Sequence, residues 1–192
     1  MTISSEQIIE FLGRYHRREL DKPALTKAAV LMLFFSKGED LHVLLTKRTE
    51  DVEHHKGQIS FPGGSKGDED ESHIATALRE SEEEIGLAPN AVKILGMFDD
   101  FETPTGFAIT PVIAYAQKLP HLEQNRSEVA EILEVPVSLF LDERVERVEQ
   151  RLPRGVPIDV YFYRYGDHEI WGATAAILRA VLHAVRNSET TR

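Results

Sequence analysis

Apolar residues along this chain follow two periods, and the change between them marks out its elements. Ala28 to Phe35 is a continuous apolar run of strand length, Leu41 to Thr46 is a second, and Ser36 to Asp40 with Gly38 lies between them. Such a pair predicts two strands joined by a hairpin turn. Val92 to Phe98 and Ala108 to Ala116 are further strand candidates, the second placed after a turn at Pro104 to Gly106, and Val160 to Tyr165 is rich in β-formers. Helical spacing governs three other stretches. Ile8, Ile9, Phe11, Leu12 and Tyr15 form the first, closed by Pro23; Ile74, Leu78, Ser81 and Ile85 form the second; Ile177, Leu178, Val181, Leu182 and Val185 form the third, in a closing helix from Trp171 to Val185. Gly86 follows the middle set, where a left-handed cap is favoured. Val129 to Val135 fits helix or strand by pattern, and Pro136 limits it. Strands thus outnumber helices around one central helix, which predicts an α+β layered domain. One domain over residues 1–192 is expected, with 1–23 as an N-terminal helical extension, about 24–185 as the core and 186–192 as a tail.

Composition narrows the function. Net charge is −10 with no basic stretch, which argues against general binding to nucleic acid or to an anionic membrane surface. An anionic small-molecule substrate would have to be drawn in by a local cluster and a metal. There is no cysteine, so disulfides, thiol catalysis and cysteine zinc sites are excluded. The longest apolar run, Ala28 to Phe35, is too short to span a bilayer. The start, MTISSEQII, lacks the charged-then-apolar pattern of a signal peptide, so a cytoplasmic protein is expected. Monomer and homodimer both remain open.

The chemistry concentrates in Phe61 to Leu87, FPGGSKGDEDESHIATALRESEEEIGL, where a glycine pair precedes a helix loaded with carboxylates. At about 100° per residue Glu80 and Glu84 lie one turn apart with Glu83 close by, so three carboxylates are expected to project toward one spot, with Glu82 turned toward the apolar boundary. Arg79, four residues before Glu83, can orient that carboxylate. A lone run of three glutamates more often marks a solvated helix face. Here the preceding Phe61, Pro62, Gly63 and Gly64 form a tight loop that can bring backbone groups close to a metal or phosphate. Carboxylate oxygens suit a hard cation, Mg²⁺ or Mn²⁺.

These residues resemble the Nudix hydrolase family, whose box is a glycine, five residues, an acid, seven residues, then Arg-Glu-apolar-any-Glu-Glu-any-Gly-apolar. Gly64, Arg79, Glu80, Glu83, Glu84, Gly86 and Leu87 match it. The spacing from Gly64 to Arg79 is one residue longer than the general box, so the acid position falls on Asp70 or Glu71, and Ser81 stands at the apolar position. Both departures are similar to the branch of the family that hydrolyses coenzyme A. Upstream, LLTKRTEDVEHHKGQISFPGG also resembles the extra motif of that branch: Leu44, Leu45, Thr46, Arg48, Gly57 and the FPGG align, while Thr49 replaces a Ser or Ala and Glu53 replaces an arginine. TPTGFAITPVIA, NRSEVAEILEVPVS and IWGATAAIL look like further segments of it, which extends the likeness over most of the chain.

The resemblance implies a sandwich of mixed β-sheets between helices, the loop-helix-loop box as its catalytic element, and cleavage of coenzyme A or its derivatives into 3′,5′-ADP and 4′-phosphopantetheine. Glu80 and Glu84 are the expected main metal ligands, with Glu83 as a further ligand or catalytic group and the Gly63 carbonyl completing the metal shell. In this family the general base often arrives from a distant loop; Glu128 in NRSEV is the first candidate and Glu131 the second. Arg48 and Lys56 are expected to recognise phosphate, since a guanidinium fork pairs with phosphate and lysine adds a movable charge; Gly64 and Arg79 complete the expected substrate contacts. His54 and His55 lack a third nitrogen ligand and read as loop residues. Phe101 and Phe107 read as core or as pocket lining. Glu53 keeps a second substrate class open, another diphosphate such as ADP-ribose or a nucleoside triphosphate. A noncatalytic nucleotide-binding module is a third reading, opposed by the intact Arg79, Glu80, Glu83 and Glu84.

Overall fold

A computed structural model describes residues 3–50 and 57–190. Its first helix, α1 (Ser5–Leu12), starts at Ser4, whose side chain and that of Gln7 form a capping box. Ile8 and Leu12 are buried in the core. The helical extension expected over residues 1–23 is therefore only partly helical. After Gly13 the chain runs as a strap tied by side chains: Tyr15 stacks on Phe98 at 4.8 Å and donates to Asp99 at 2.7 Å, and Arg17 pairs with Asp100 at 3.2 Å.

The predicted hairpin is present as β1 (Thr26–Lys37) and β2 (Asp40–Arg48). β1 also pairs in parallel with β7 (Phe107–Ala116) along nearly its whole length, from Thr26↔Phe107 to Phe35↔Ala116. The unbroken apolar run of β1 follows from burial on both faces. Leu31, Leu33 and Phe35 pack with Ala77 and Ile85 of α2 (His73–Ile85). Met32 and Phe34 pack on the other side with α1 and with Leu178, Val181 and Leu182 of α3 (Gly172–Thr190). The layered α+β architecture, helices over both faces of a mixed sheet, agrees with the expected sandwich.

The partner of β1 changes halfway along its other edge. Its C-terminal part pairs with β2, and its N-terminal part pairs with β4 (Gly63–Ser65), register Val30↔Gly63. Beyond the fork β2 pairs with β3 (Ile59–Ser60) and along its far edge with β8 (Val129–Pro136). The FPGG loop is thereby wedged into the fork, and the Pro62 carbonyl accepts from the Leu31 amide at 2.8 Å. β5 (Lys93–Met97) and β6 (Phe101–Glu102) complete the sheet on β7.

A second antiparallel sheet follows: β9 (Glu146–Arg151), β10 (Ile158–Tyr165) and β11 (His168–Trp171). Its inner face meets α3, where Arg179 reaches Glu146 at 2.7 Å and buried Tyr163 packs edge-on against Phe140. Two sequence readings are settled here. Val129 to Val135 is strand, and Trp171 ends β11 instead of opening the last helix, its ring stacked on Phe162 at 5.9 Å. No described helix is long and apolar enough to cross a membrane.

Candidate active site

α2 is held at both ends by its own sequence. The Ser72 hydroxyl accepts from the Ala75 amide at 3.1 Å, and Gly86 takes the left-handed cap at φ 64°. Ala77, Ser81 and Ile85 form its buried face, with Ile74 and Leu78 at the margin. Ser81 fits an apolar interface because its hydroxyl donates back to the Ala77 carbonyl at 2.6 Å. Glu82, expected near the apolar boundary, is exposed.

Opposite α2, β4 supplies the two glycines. Gly63 has φ 152°, and a Cβ there would meet the Ala29 carbonyl oxygen at 2.4 Å. At Gly64 a Cβ would lie 2.5 Å from the Glu80 carboxyl carbon. Gly63 thus satisfies the backbone of the fork, while Gly64 leaves room for a carboxylate. The Gly63 amide faces Glu84 Oε2 at 3.4 Å, which puts Gly63 at the site through its N–H.

Glu84 is buried and Glu80 half-buried, whereas 56% of the Glu83 side chain is exposed. Among the described residues no three His, Asp or Glu side chains stand where they could hold one ion. The expected convergence of three carboxylates is thus corrected. Arg79 draws Glu83 outward at 3.1 Å, leaving Glu80 and Glu84 on the glycine side. The same guanidinium makes a two-pronged contact to Asp70, both at 3.0 Å, and reaches Glu80 at 2.9 Å and the Ser65 carbonyl at 3.4 Å. Arg79, expected to touch substrate, is placed here as a clamp among acceptors of the chain itself. Asp70 fills the acid position, also accepting from the Gly67 amide at 2.8 Å, while Glu71 is exposed. Asp70 is the site residue that spacing left unresolved; the longer box loop folds so that it faces Arg79.

Arg48 enters from the end of β2. The register of β2 on β8 shifts between Lys47 and Arg48, and such a bulge re-aims a side chain. Its Nη1 lies 3.7 Å from Glu84 Oε1, while its Nε is buried without a hydrogen-bond partner among the described residues. Glu128 arrives through a loop moored to the far end of α2: the Glu123 amide donates to the Ile85 carbonyl at 2.8 Å and the Asn125 amide to that of Glu84 at 2.9 Å. The Thr49 amide then bonds the Glu128 carbonyl at 2.9 Å. Glu131 instead lies opposite Lys47 on β8 and pairs with His168 of the second sheet at 3.3 Å. Phe101 packs against the core cluster. Lys56, Glu53, His54 and His55 fall outside the described residues.

The electrostatics divide sharply. Burial pushes the Glu84 carboxyl up to about 7, opposed by Arg48 and the Gly63 amide and reinforced by the charges of Glu80 and Glu128. Burial also raises Glu80, against the pull of Arg79. Hydrogen bonds from Arg79 and from the Gly67 amide hold Asp70 far below the usual carboxylate range. Burial thus disfavours charge on both inner carboxylates, and Glu84 has the weaker cation contact, Arg48 at 3.7 Å against Arg79 at 2.9 Å from Glu80. Two inward carboxylates, a glycine where a Cβ would block, and an orphaned guanidinium N–H fit a divalent cation with a phosphate group beside it, since Mg²⁺ takes one or two protein carboxylates and leaves room for phosphate oxygens.

The chain is similar to known proteins in sequence and in fold. The family model described as the NUDIX domain matches residues 25–154. A Photorhabdus laumondii protein named uncharacterized Nudix hydrolase NudL is 38% identical over 159 residues, covering 83% of this chain and 84% of its own length. The protein of the same name from Escherichia coli is 32% identical over 194 residues, covering 93% and 95%. Among solved structures, a MutT/nudix family protein from Enterococcus faecalis is 18% identical, covers 96% of this chain and 70% of that one, and has a TM-score of 0.53. A NUDIX hydrolase from Alicyclobacillus acidocaldarius is 18% identical, covers 83% and 91%, and has a TM-score of 0.50. These two likenesses concern the fold alone.

Proposed function

The chain belongs to the Nudix hydrolase family, whose members generally use divalent metal ions such as Mg²⁺ or Mn²⁺, and from that premise we propose that it cleaves the diphosphate of coenzyme A or its derivatives into 3′,5′-ADP and 4′-phosphopantetheine or the acyl form. The observation that carries this reading is Arg48. It belongs to the motif upstream of the box that resembles the coenzyme A branch, and its guanidinium lies beside Glu84, with Nε unpartnered among the described residues.

Hydrolysing a phosphoanhydride requires neutralised nonbridging oxygens, an oriented water and an acceptor for its proton. Glu80 and Glu84 would hold the Mg²⁺ or Mn²⁺, with the Gly63 carbonyl as a further ligand and Glu83 available for a second ion. When bound, the cation supplies charge neutralisation at the diphosphate. Arg48, whose side chain is 28% exposed, would pair its guanidinium with a phosphate oxygen, a charge-assisted bond; Lys56 would add a second cation and Gly64 a close backbone approach. Arg79 positions Glu80 and Glu83. Glu128 takes the proton of the attacking water: its negative charge already acts on both Glu80 and Glu84, which supports a place at the reaction centre. Water oxygen bonds to phosphorus, the bridging P–O bond breaks, and the leaving phosphate departs as an anion.

Product analysis after incubation with coenzyme A and Mg²⁺ or Mn²⁺, beside a Glu84→Gln control, tests the proposal. Release of 3′,5′-ADP by the unaltered chain alone is expected. Turnover of ADP-ribose at the same or a higher rate would return the substrate to the wider family and sink the coenzyme A assignment.

A further inference from the structure

The second sheet ends in an open edge. β9 pairs with β10 along one side, from Glu146↔Tyr163 to Arg151↔Ile158, and no described strand pairs with its other side. An open edge presents backbone donors and acceptors able to pair with another chain. The exposed large hydrophobic side chains among the described residues gather at this edge: Val145, Val148, Leu152, Val156 and Ile158, with Leu152 69% and Val156 61% exposed. They lie on β9, beside it, or along the loop to the start of β10. The strand is held firm from behind, since Glu146 binds both Tyr163 and Arg179.

We propose that β9 pairs antiparallel with β9 of a second copy of this chain, joining the two small sheets into one across a two-fold axis. Opposed residues in an antiparallel sheet share a face, so such an axis passes through a residue, not between two. Two centres keep most of β9 paired. With Glu149 on the axis, Glu149 faces itself and each Arg147 faces an Arg151, so every charged contact is repulsive. With Val148 on the axis, the exposed valines meet and each Arg147 faces Glu149 of the other copy. Only the second register is self-complementary in charge. Within one chain Arg147 already meets Glu149 and, at 2.8 Å, Glu169, but these pairs are exposed, and solvated pairs exchange partners at little cost.

Sedimentation velocity of the full chain over a wide concentration range tests this. The unaltered chain is expected at twice the monomer mass, and Val148→Lys, which sets two ammonium groups at the axis, as monomer with unchanged circular dichroism. Glu149→Arg also gives monomer, and adding Arg147→Glu restores the dimer. A monomer at every concentration, or a dimer that survives Val148→Lys, overturns the proposal; a folded double variant that stays monomeric overturns the register. Should a variant unfold, hydrogen exchange on the unaltered chain decides. Protection of β9 amides that grows on concentration supports pairing, and identical exchange in dilute and concentrated samples overturns it.

Discussion

The outer and inner sides of α2 carry the same kind of side chain under opposite electrostatic conditions. Outside, Asp70 and Glu83 share Arg79, and Asp70 stays ionised far into acid. Inside, Glu84 has among the described residues the 3.7 Å contact of Arg48 and one long amide bond, and burial lifts it to about 7. The outer network is internally satisfied and holds the helix to its loop. On the inner side Glu80 keeps a contact with Arg79 at 2.9 Å, and Glu84, 3.7 Å from Arg48, is the carboxylate whose charge a bound cation would compensate. Arg79 thus ties Asp70 and Glu83 into the scaffold while still reaching Glu80, and Glu84 lies beyond its contacts, beside Arg48.

Removing the inner charge should have the largest effect. Glu84→Gln keeps the shape of the side chain, and turnover of a diphosphate is expected to fall by at least about 10²-fold, the scale of losing one preorganised electrostatic group. Its metal-free melting temperature should not fall, because the carboxylate is buried with weak compensation. A clear loss of stability with retained turnover would reverse the assignment of the two sides. Next comes Gly64→Ala. Its Cβ would press on Glu80 from 2.5 Å while the backbone there needs no positive φ, so the chain should fold with turnover reduced roughly 10-fold or more, as expected for a displaced reacting group. Steady-state kinetics beside circular dichroism would show it. Arg79→Lys breaks the outer side: lysine cannot make the two-pronged contact to Asp70. The melting temperature should drop by several degrees, with a smaller loss of turnover than in Glu84→Gln. Unchanged stability would deny Arg79 its role as clamp.

Much of this contrast was legible in the sequence, and its missing half shows what sequence lacks. The β1–β2 hairpin, β7 and α2 with its Gly86 cap are long enough to carry a pattern, and each lies where the pattern put it; α3 starts one residue later than expected and runs on to Thr190, so that residues 186–190, expected as tail, are helix. β3 and β4, two and three residues long, are too short for any period, yet they bring Gly63 and Gly64 to the helix. Helical spacing pairs Arg79 with Glu83 and also sets Glu80, Glu83 and Glu84 near one another; it does not tell that the pair turns Glu83 outward. Asp70 and Glu71 were equivalent by spacing until the fold of the box loop brought one of them to Arg79. Glu128 depends on the backbone of Glu123 and Asn125 docking to the end of α2, contacts with no side-chain signature.

The smallest expected effect lies in the pH dependence of stability without metal. In the folded chain Glu84 keeps its proton up to about 7, against an ordinary value of 4.5. Protonation therefore favours the folded state: the contribution is complete below the unfolded value and is lost as pH rises through about 7. Asp70 behaves oppositely; its contribution is present above the ordinary value of 3.8 and is lost only in strong acid, as pH falls toward its depressed folded value. Between these limits the raised Glu80 and the lowered His73 and His183 add to the slope of either protein, so the difference from Glu84→Gln isolates Glu84: melting temperature in a chelating buffer should decline from pH 5 to 7.5 relative to Glu84→Gln, by a few degrees on the scale of about 2–4 °C per kcal/mol for a chain of this size. Saturating Mg²⁺ should remove most of that decline, because a bound cation takes over the compensation that the proton supplies. Parallel curves for the two proteins would mean that Glu84 ionises at its ordinary value, and the electrostatic distinction between the two sides of α2 would then vanish.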